Sequence, residues 1–208
     1  MTFAILMIVS YLIGGIPFGL IIGRIFFGTD IREHGSCNIG ATNAYRVLGW
    51  KGGVPVFILD LSKGIGPVIA ARLLSSGTLH SYPPGMVIVA AGFAAVIGHT
   101  VSPFLKFKGG KGVATSLGVA FALSWQGGAA AFIAWCIVLA ATRYVSMASI
   151  VGTIVGAATI TIYSGNNPFY GAFGLFATIY VVIKHIPNIK RLLRGEEHRF
   201  GTPKRDNS

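Results

Sequence analysis

Seven apolar runs, separated by short segments that hold almost all of the charge, leave this chain few folds to choose from. They lie at about residues 3–25, 53–74, 85–105, 113–123, 127–141, 146–163 and 168–183. Inside a bilayer the backbone finds no water to bond, so a crossing segment satisfies its own N–H and C=O groups as a helix. Only 11% of the residues are charged, against about 25% in a soluble domain. The sequence therefore reads as an all-α integral membrane protein, a single membrane domain over residues 1–208. At about 20 residues per span that length allows roughly six to eight crossings.

Charge decides between six and seven. Runs four and five could join as one 29-residue helix. With seven spans and the N-terminus outside, four segments face the cytoplasm: 23–52, 106–112, 142–145 and 184–208. They hold 15 of the 17 basic residues, and the opposite loops, 75–84, 124–126 and 164–167, hold none. The other two, Lys63 and Arg72, lie in the second run. A six-span chain would put Arg143 and the basic tail, about 185–208, across the membrane from Lys108 and Lys111, against the rule that Lys and Arg collect inside. About seven helices are expected, with a break at Ser124-Trp125-Gln126-Gly127 and a cytoplasmic C-terminus. Spans four and five are short for a bilayer of about 30 Å, which calls for local thinning. The N-terminus lacks a basic n-region and a cleavage site, so the first run reads as a retained span.

The net charge of +11 has the same origin, and with no basic-aromatic surface it does not point to nucleic acid. Cys37 and Cys136 lie far apart without a CxxC, so no disulfide framework or metal knuckle is expected. Nor is a cofactor. Paired glycines within the runs (Gly14-Gly15, Gly64 and Gly66, Gly152 and Gly156) suggest close helix packing.

The polar clusters all fall on the expected cytoplasmic face. Lys108-Gly109-Gly110-Lys111-Gly112 interrupts an apolar stretch just before the helix that begins near Val113. Glycine N–H groups, two ammonium groups and a helix N-terminus together suit a phosphate-type anion. It is not a Walker loop, because Gly112 follows Lys111. Ser36, Asn38, Thr42, Asn43 and Arg46 offer hydroxyls, amides and a guanidinium within eleven residues. Arg143 precedes Ser146 and Ser149, three residues apart at the start of the sixth run. His185, Asn188 and Arg191 recur at the same spacing after the seventh. His99 is an ionisable group near the inner end of the third run. Asp60 and Lys63, at i,i+3 and about two turns inside the membrane, read as a structural ion pair. No HxxxxD or GxSxG motif and no metal-ligand cluster is present.

These residues resemble the bacterial PlsY family of membrane acyl-phosphate:glycerol-3-phosphate acyltransferases. The likeness runs through Gly15-Ile16-Pro17-Phe18-Gly19, Asp30-Ile31-Arg32, Ser36 to Asn43, Leu59-Asp60-Leu61-Ser62-Lys63-Gly64 and His99. It continues through Phe107 to Thr115, Arg143-Tyr144-Val145-Ser146 and Asn188 to Leu193. Cys37 stands where the family commonly has Gly, and Pro103 falls one place later than its pattern. The resemblance implies seven spans in the bacterial inner membrane, with the motifs at the cytoplasmic face. It also implies acyl transfer from acyl phosphate to the 1-hydroxyl of glycerol 3-phosphate, giving lysophosphatidic acid, and a functional link to a soluble enzyme that makes acyl phosphate. His99, Ser36, Asn38 and Lys111 are then expected to be catalytic. Arg46, Thr42, Asn43, Lys108, Gly109, Gly110, Gly112, Arg143, Ser146, His185 and Asn188 are expected to hold the phosphates. A small organophosphate transporter is the competing reading. The broken fourth span and the intramembrane Asp60 and Lys63 fit it weakly, but it should show internal repeats and polar groups near the midplane, and here the polar groups cluster at one interface.

Overall fold

The computed structural model describes residues 1–165 and 167–201, all helix, turn or loop among those described. The ends of the tail, including Lys204 and Arg205, lie outside the described residues, as does Asn166. Each apolar run forms at least one helix: α1 (Thr2–Gly15), α2 (Phe18–Phe27), α4 (Trp50–Ser75), α5 (Pro84–Thr100), α6 (Val113–Leu123), α7 (Trp125–Thr142), α8 (Val145–Tyr163) and α9 (Pro168–Lys184). Two short helices, α3 (Ala41–Leu48) and α10 (Ile186–Leu193), fall in the polar segments.

Four helices are long and apolar enough to cross a membrane, and there are six candidates if each of two bent pairs is one span. α6, with 11 residues, is shorter than these. The first run, read above as one span, is bent by 41° between α1 and α2. Proline causes the bend: Pro17 cannot donate to the preceding turn, and it drives Ile16 to an extended ψ of 121°. After the last run the chain turns by 57° between α9 and α10. The break between α6 and α7 narrows to Ser124, whose hydroxyl caps α7 by accepting the Gly127 N–H at 3.2 Å. After α5, Pro103 opens a single 3₁₀ turn, Pro103–Leu105, and the Ser102 hydroxyl donates to Gly15 O at 2.6 Å.

Glycines set how closely the helices approach. A Cβ on Gly14 would strike Ala95 O and one on Gly98 would strike Tyr11 O, which joins α1 to α5. Gly64 and Gly118 do the same for α4 and α6 against Thr115 O and Leu61 O. Gly127, Gly152 and Gly156 join α7 to α8. Such contacts bring backbones together where the lipid gives no hydrophobic drive for association. Gly66 differs, since it faces open space. The main core gathers Val68, Val87, Val96, Val119 and Phe173 from α4, α5, α6 and α9. Between α6, α7, α8 and α9 a cleft remains.

Candidate active site

Asn43 organises the first wall. It is 1% exposed. Its Oδ1 accepts the Ser36 N–H at 2.7 Å, and its Nδ2 donates to Ile31 O at 2.7 Å and Asn38 O at 2.8 Å. Asn38 Oδ1 in turn accepts the Gly40 N–H at 2.9 Å. These bonds fold residues 31–40 onto the start of α3 and bring Ser36, Asn38, Thr42 and Arg46 to the same cleft. Asn43, expected to hold a phosphate, is thus the keystone of the loop while also lining the cleft.

Cys37 lies on this loop at φ 56°, a left-handed conformation that costs a side chain about 1–2 kcal/mol and glycine nothing. The position commonly held by Gly in the resembling family is therefore one whose backbone favours Gly. Cys37 is exposed and is not among the residues lining the cleft, which makes it a bystander to that site. Cys37→Gly is expected to keep at least about a tenth of the activity, since losing a true nucleophile costs orders of magnitude. It should also stabilise the fold by about 0.5–1 kcal/mol, the relieved strain less the entropy that glycine adds to the unfolded chain. Thermal unfolding and single-turnover rates check both, and an inactive Cys37→Gly would overturn this assignment.

The glycine-lysine loop is built differently from the expectation. The Gly109 N–H donates to Thr100 O at 3.2 Å and the Gly110 N–H to His99 O at 3.1 Å, so neither amide is open to an anion. These glycines serve close approach instead: a Cβ on Gly109 would strike His99 O, and one on Gly110 would strike the His99 ring. Gly112, at φ 79°, caps α6. What the loop presents to the cleft is Lys111, at the end of α6 where first-turn N–H groups have no partner within the helix. Lys108 is exposed and off the cleft.

The second wall joins three segments distant in sequence. Lys111 Nζ donates to Asn188 Oδ1. Glu197 accepts from Ser146 Oγ at 2.8 Å, Asn188 Nδ2 at 2.6 Å and Arg191 Nε at 2.8 Å. Burial alone would raise the Glu197 carboxyl, but the three donors outweigh it and hold it below its usual range. Burial pushes the Lys111 ammonium down to about 8; Arg191 and Arg46 add to the fall and Glu197 opposes it. The His185 ring is buried beside the cleft, with Nδ1 2.8 Å from Val181 O.

At the cleft's inner wall stand His99 and Asp60, each buried. Asp60 Oδ1 is 2.7 Å from Lys63 Nζ and 3.8 Å from His99 Nδ1. Lys63 also donates to Ile16 O at 2.8 Å, at the Pro17 bend. His99 Nδ1 and Ser116 Oγ are buried polar atoms without a hydrogen-bond partner among the described residues. The cleft, about 360 Å³, continues from this polar mouth into an apolar interior lined by Ala120, Ala131, Phe132, Trp135, Ile160 and Phe173.

Of the residues expected from sequence, the structure gathers Ser36, Asn38, Thr42, Asn43, Arg46, His99, Lys111, Gly112, Ser146, His185 and Asn188 on one cleft. Lys108, Gly109, Gly110 and Arg143 are not among its lining residues. Arg143 turns to the tail: its Nε donates to Phe200 O at 3.0 Å. Sequence reasoning missed Glu197, Lys184 and His198, and left Arg191 and Ser149 outside the expected set, although all line the cleft. The signal for Glu197 was its rarity, as one of six acidic residues in the chain and set in a basic tail.

A family model described as glycerol-3-phosphate acyltransferase matches residues 4–195. The chain is 42% identical over 203 residues to the glycerol-3-phosphate acyltransferase of Syntrophotalea carbinolica, covering 96% of this chain and 98% of that one. It is 41% identical to glycerol-3-phosphate acyltransferase 2 of Bacillus anthracis, over 93% of this chain and 97% of that one. Among solved structures it matches PlsY (YgiH), an integral membrane glycerol 3-phosphate acyltransferase, at 40% identity over 97% of each chain. The TM-score is 0.86 for that protein's glycerol 3-phosphate form and 0.85 for its lysophosphatidic acid form. With four to six candidate spans of its own, the chain is a multi-pass membrane protein, and it belongs to the glycerol-3-phosphate acyltransferase family.

Proposed function

We propose that this protein transfers an acyl group from acyl phosphate to the 1-hydroxyl of sn-glycerol 3-phosphate. The products are 1-acylglycerol 3-phosphate (lysophosphatidic acid) and phosphate, in the first committed step of phospholipid synthesis. The observation that carries this reading is a single cleft whose cationic, hydrogen-bonding mouth runs on into an apolar interior. A phosphate-bearing headgroup suits the first part and an acyl chain the second.

The two substrates bring roughly three to four negative charges together at neutral pH. Lys111 and Arg46 neutralise them, while Ser36, Asn38 and Thr42 on one wall and Ser146, His185 and Asn188 on the other orient the oxygens. The glycerol hydroxyl oxygen attacks the acyl carbonyl carbon and the carbon–oxygen bond to phosphate breaks. The hydroxyl proton leaves with the departing phosphate or through His99 on the cleft wall. Acyl phosphate is already activated, so no acyl-enzyme is required. Gly112 holds Lys111 at the helix start; Lys108 and Arg143 act at a distance, through the field and through the tail.

The transport reading fares poorly, because the polar groups gather at one end of the cleft while Ile160 and Phe173 line the other. The test is direct: purified protein in detergent, given acyl phosphate and glycerol 3-phosphate, forms lysophosphatidic acid without any compartment. No product would overturn the reading.

The topology belongs to the same proposal: seven spans, N-terminus outside, and the site at the cytoplasmic face of the inner membrane. The basic tail about 185–208 is cytoplasmic, where a soluble enzyme can deliver acyl phosphate. The one-sided distribution of Lys and Arg supports it. Single cysteines at Ser76 and Arg194, in a chain without Cys37 and Cys136, should label from outside and inside respectively. Labelling of both from one side would sink the topology.

A further inference from the structure

The geometry points to Ile160 on α8, with Phe173 on α9, as the floor that sets the longest acyl chain the cleft accepts. This rests on the acyl-transfer reading above and adds a chain-length limit to it. One stripe of α8 lines the whole cleft, from Ser146 at the polar mouth through Thr153 to Ile160. Ser146 to Ile160 spans fourteen residues, about 21 Å at about 1.5 Å per residue. An extended hydrocarbon, with C–C bonds of about 1.5 Å, advances about 1.3 Å per carbon, so about 16 carbons fill that length.

The far end is closed rather than open. Ile160 and Phe173 are each 1% exposed. Gly127 packs against Ile160, and Gly156 against Ala131, so α7 and α8 meet there without a gap. Phe173 is backed by Phe93, with ring centroids 5.5 Å apart.

Selection by such a floor is steric. Lipid tails are as apolar as the cleft walls, so an acyl chain gains little by leaving the bilayer for the cleft. Chains shorter than the cleft are therefore accepted, and those that overrun the floor meet a packed core. Overpacking at that point is expected to cost at least about a tenfold loss of rate.

The experiment measures kcat/KM of the purified protein for acyl phosphates of 8 to 20 carbons with glycerol 3-phosphate, alongside thermal unfolding of each variant. The unaltered protein should hold its rate to about 16 carbons and lose at least about tenfold by 20. Ile160→Ala should move that limit to longer chains. Thr153→Phe places a ring seven residues from Ser146, about 10 Å down, and should move the limit to about 8–10 carbons. Thr153 is only half-buried, so the larger side chain has room; if it still fails to fold, Ile160→Ala alone decides. A profile that is the same in the variants, or that falls evenly at every length, overturns the floor. An unaltered protein inert with every acyl phosphate overturns the acyl-transfer reading instead.

Discussion

Lys111→Ala should lower kcat/KM for glycerol 3-phosphate at least about a hundredfold, because a desolvated charge-assisted contact is worth roughly 2–4 kcal/mol. Lys111 is the cation that the glycine loop presents to the cleft: it stands just before Gly112, the N-cap of α6, and donates to Asn188. Its charge is held at a cost, with the ammonium pushed down to about 8 from an ordinary 10.5. Two pH effects follow. At low substrate, kcat/KM should fall as pH rises through about 8, because the free enzyme loses the proton that the phosphate needs. Folding stability should move the other way. Between about 8 and 10.5 the unfolded chain binds the proton that the folded one has released, so this residue's contribution to stability rises with pH across that window. Lys111→Arg should carry the basic limb to higher pH yet recover only part of the rate, since a planar fork fits a pocket built for an ammonium poorly. Exposed Lys51→Ala is the control. If Lys111 only snorkelled to fix topology, Lys111→Ala would keep its kinetics while the yield of protein fell.

The helices were legible in the sequence because a bilayer imposes the same requirement at every position along a span. All seven apolar runs are helical, α6 has the bounds read from hydropathy, and the chain breaks at Ser124 as the charge asymmetry required. The bend at Pro17 was not read, although proline geometry dictates it, because an apolar pattern does not register a change of axis. The site was legible as residue types and not as partners. Ser36, Arg46, Lys111, Ser146 and Asn188 were found because polar clusters are rare in such a chain. The use of Gly109 and Gly110 was misread, since a glycine that offers its amide to an anion and one that lets a histidine approach look alike in sequence. Glu197 escaped because a carboxylate in a basic tail has no local periodicity. Only the fold shows that Ser146, Asn188 and Arg191 all converge on it.

The second large effect is expected at Asp60, and on stability rather than chemistry. Asp60 and Lys63 are each under 5% exposed and lie 2.7 Å apart within α4. Asp60→Ala would leave Lys63 buried and unpaired, which should destabilise the fold by about 3–5 kcal/mol. Lys63 also supplies a donor to Ile16 O, the carbonyl that the Pro17 bend frees from α1. The damage should therefore reach the α1–α2 junction, and hydrogen exchange there should quicken. Replacing both partners removes the charges together: Asp60→Leu with Lys63→Met should recover most of the stability, because neither ion is then stranded. That double variant separates two roles that the single one confounds, for Asp60 Oδ1 is also 3.8 Å from His99 Nδ1, which has no hydrogen-bond partner among the described residues. If the pair is structural, the refolded double variant should work within about tenfold of the unaltered protein, as at a site whose catalytic groups remain in place. A double variant that is stable yet at least about a hundredfold slower would instead make Asp60 the group that positions His99 for the reaction.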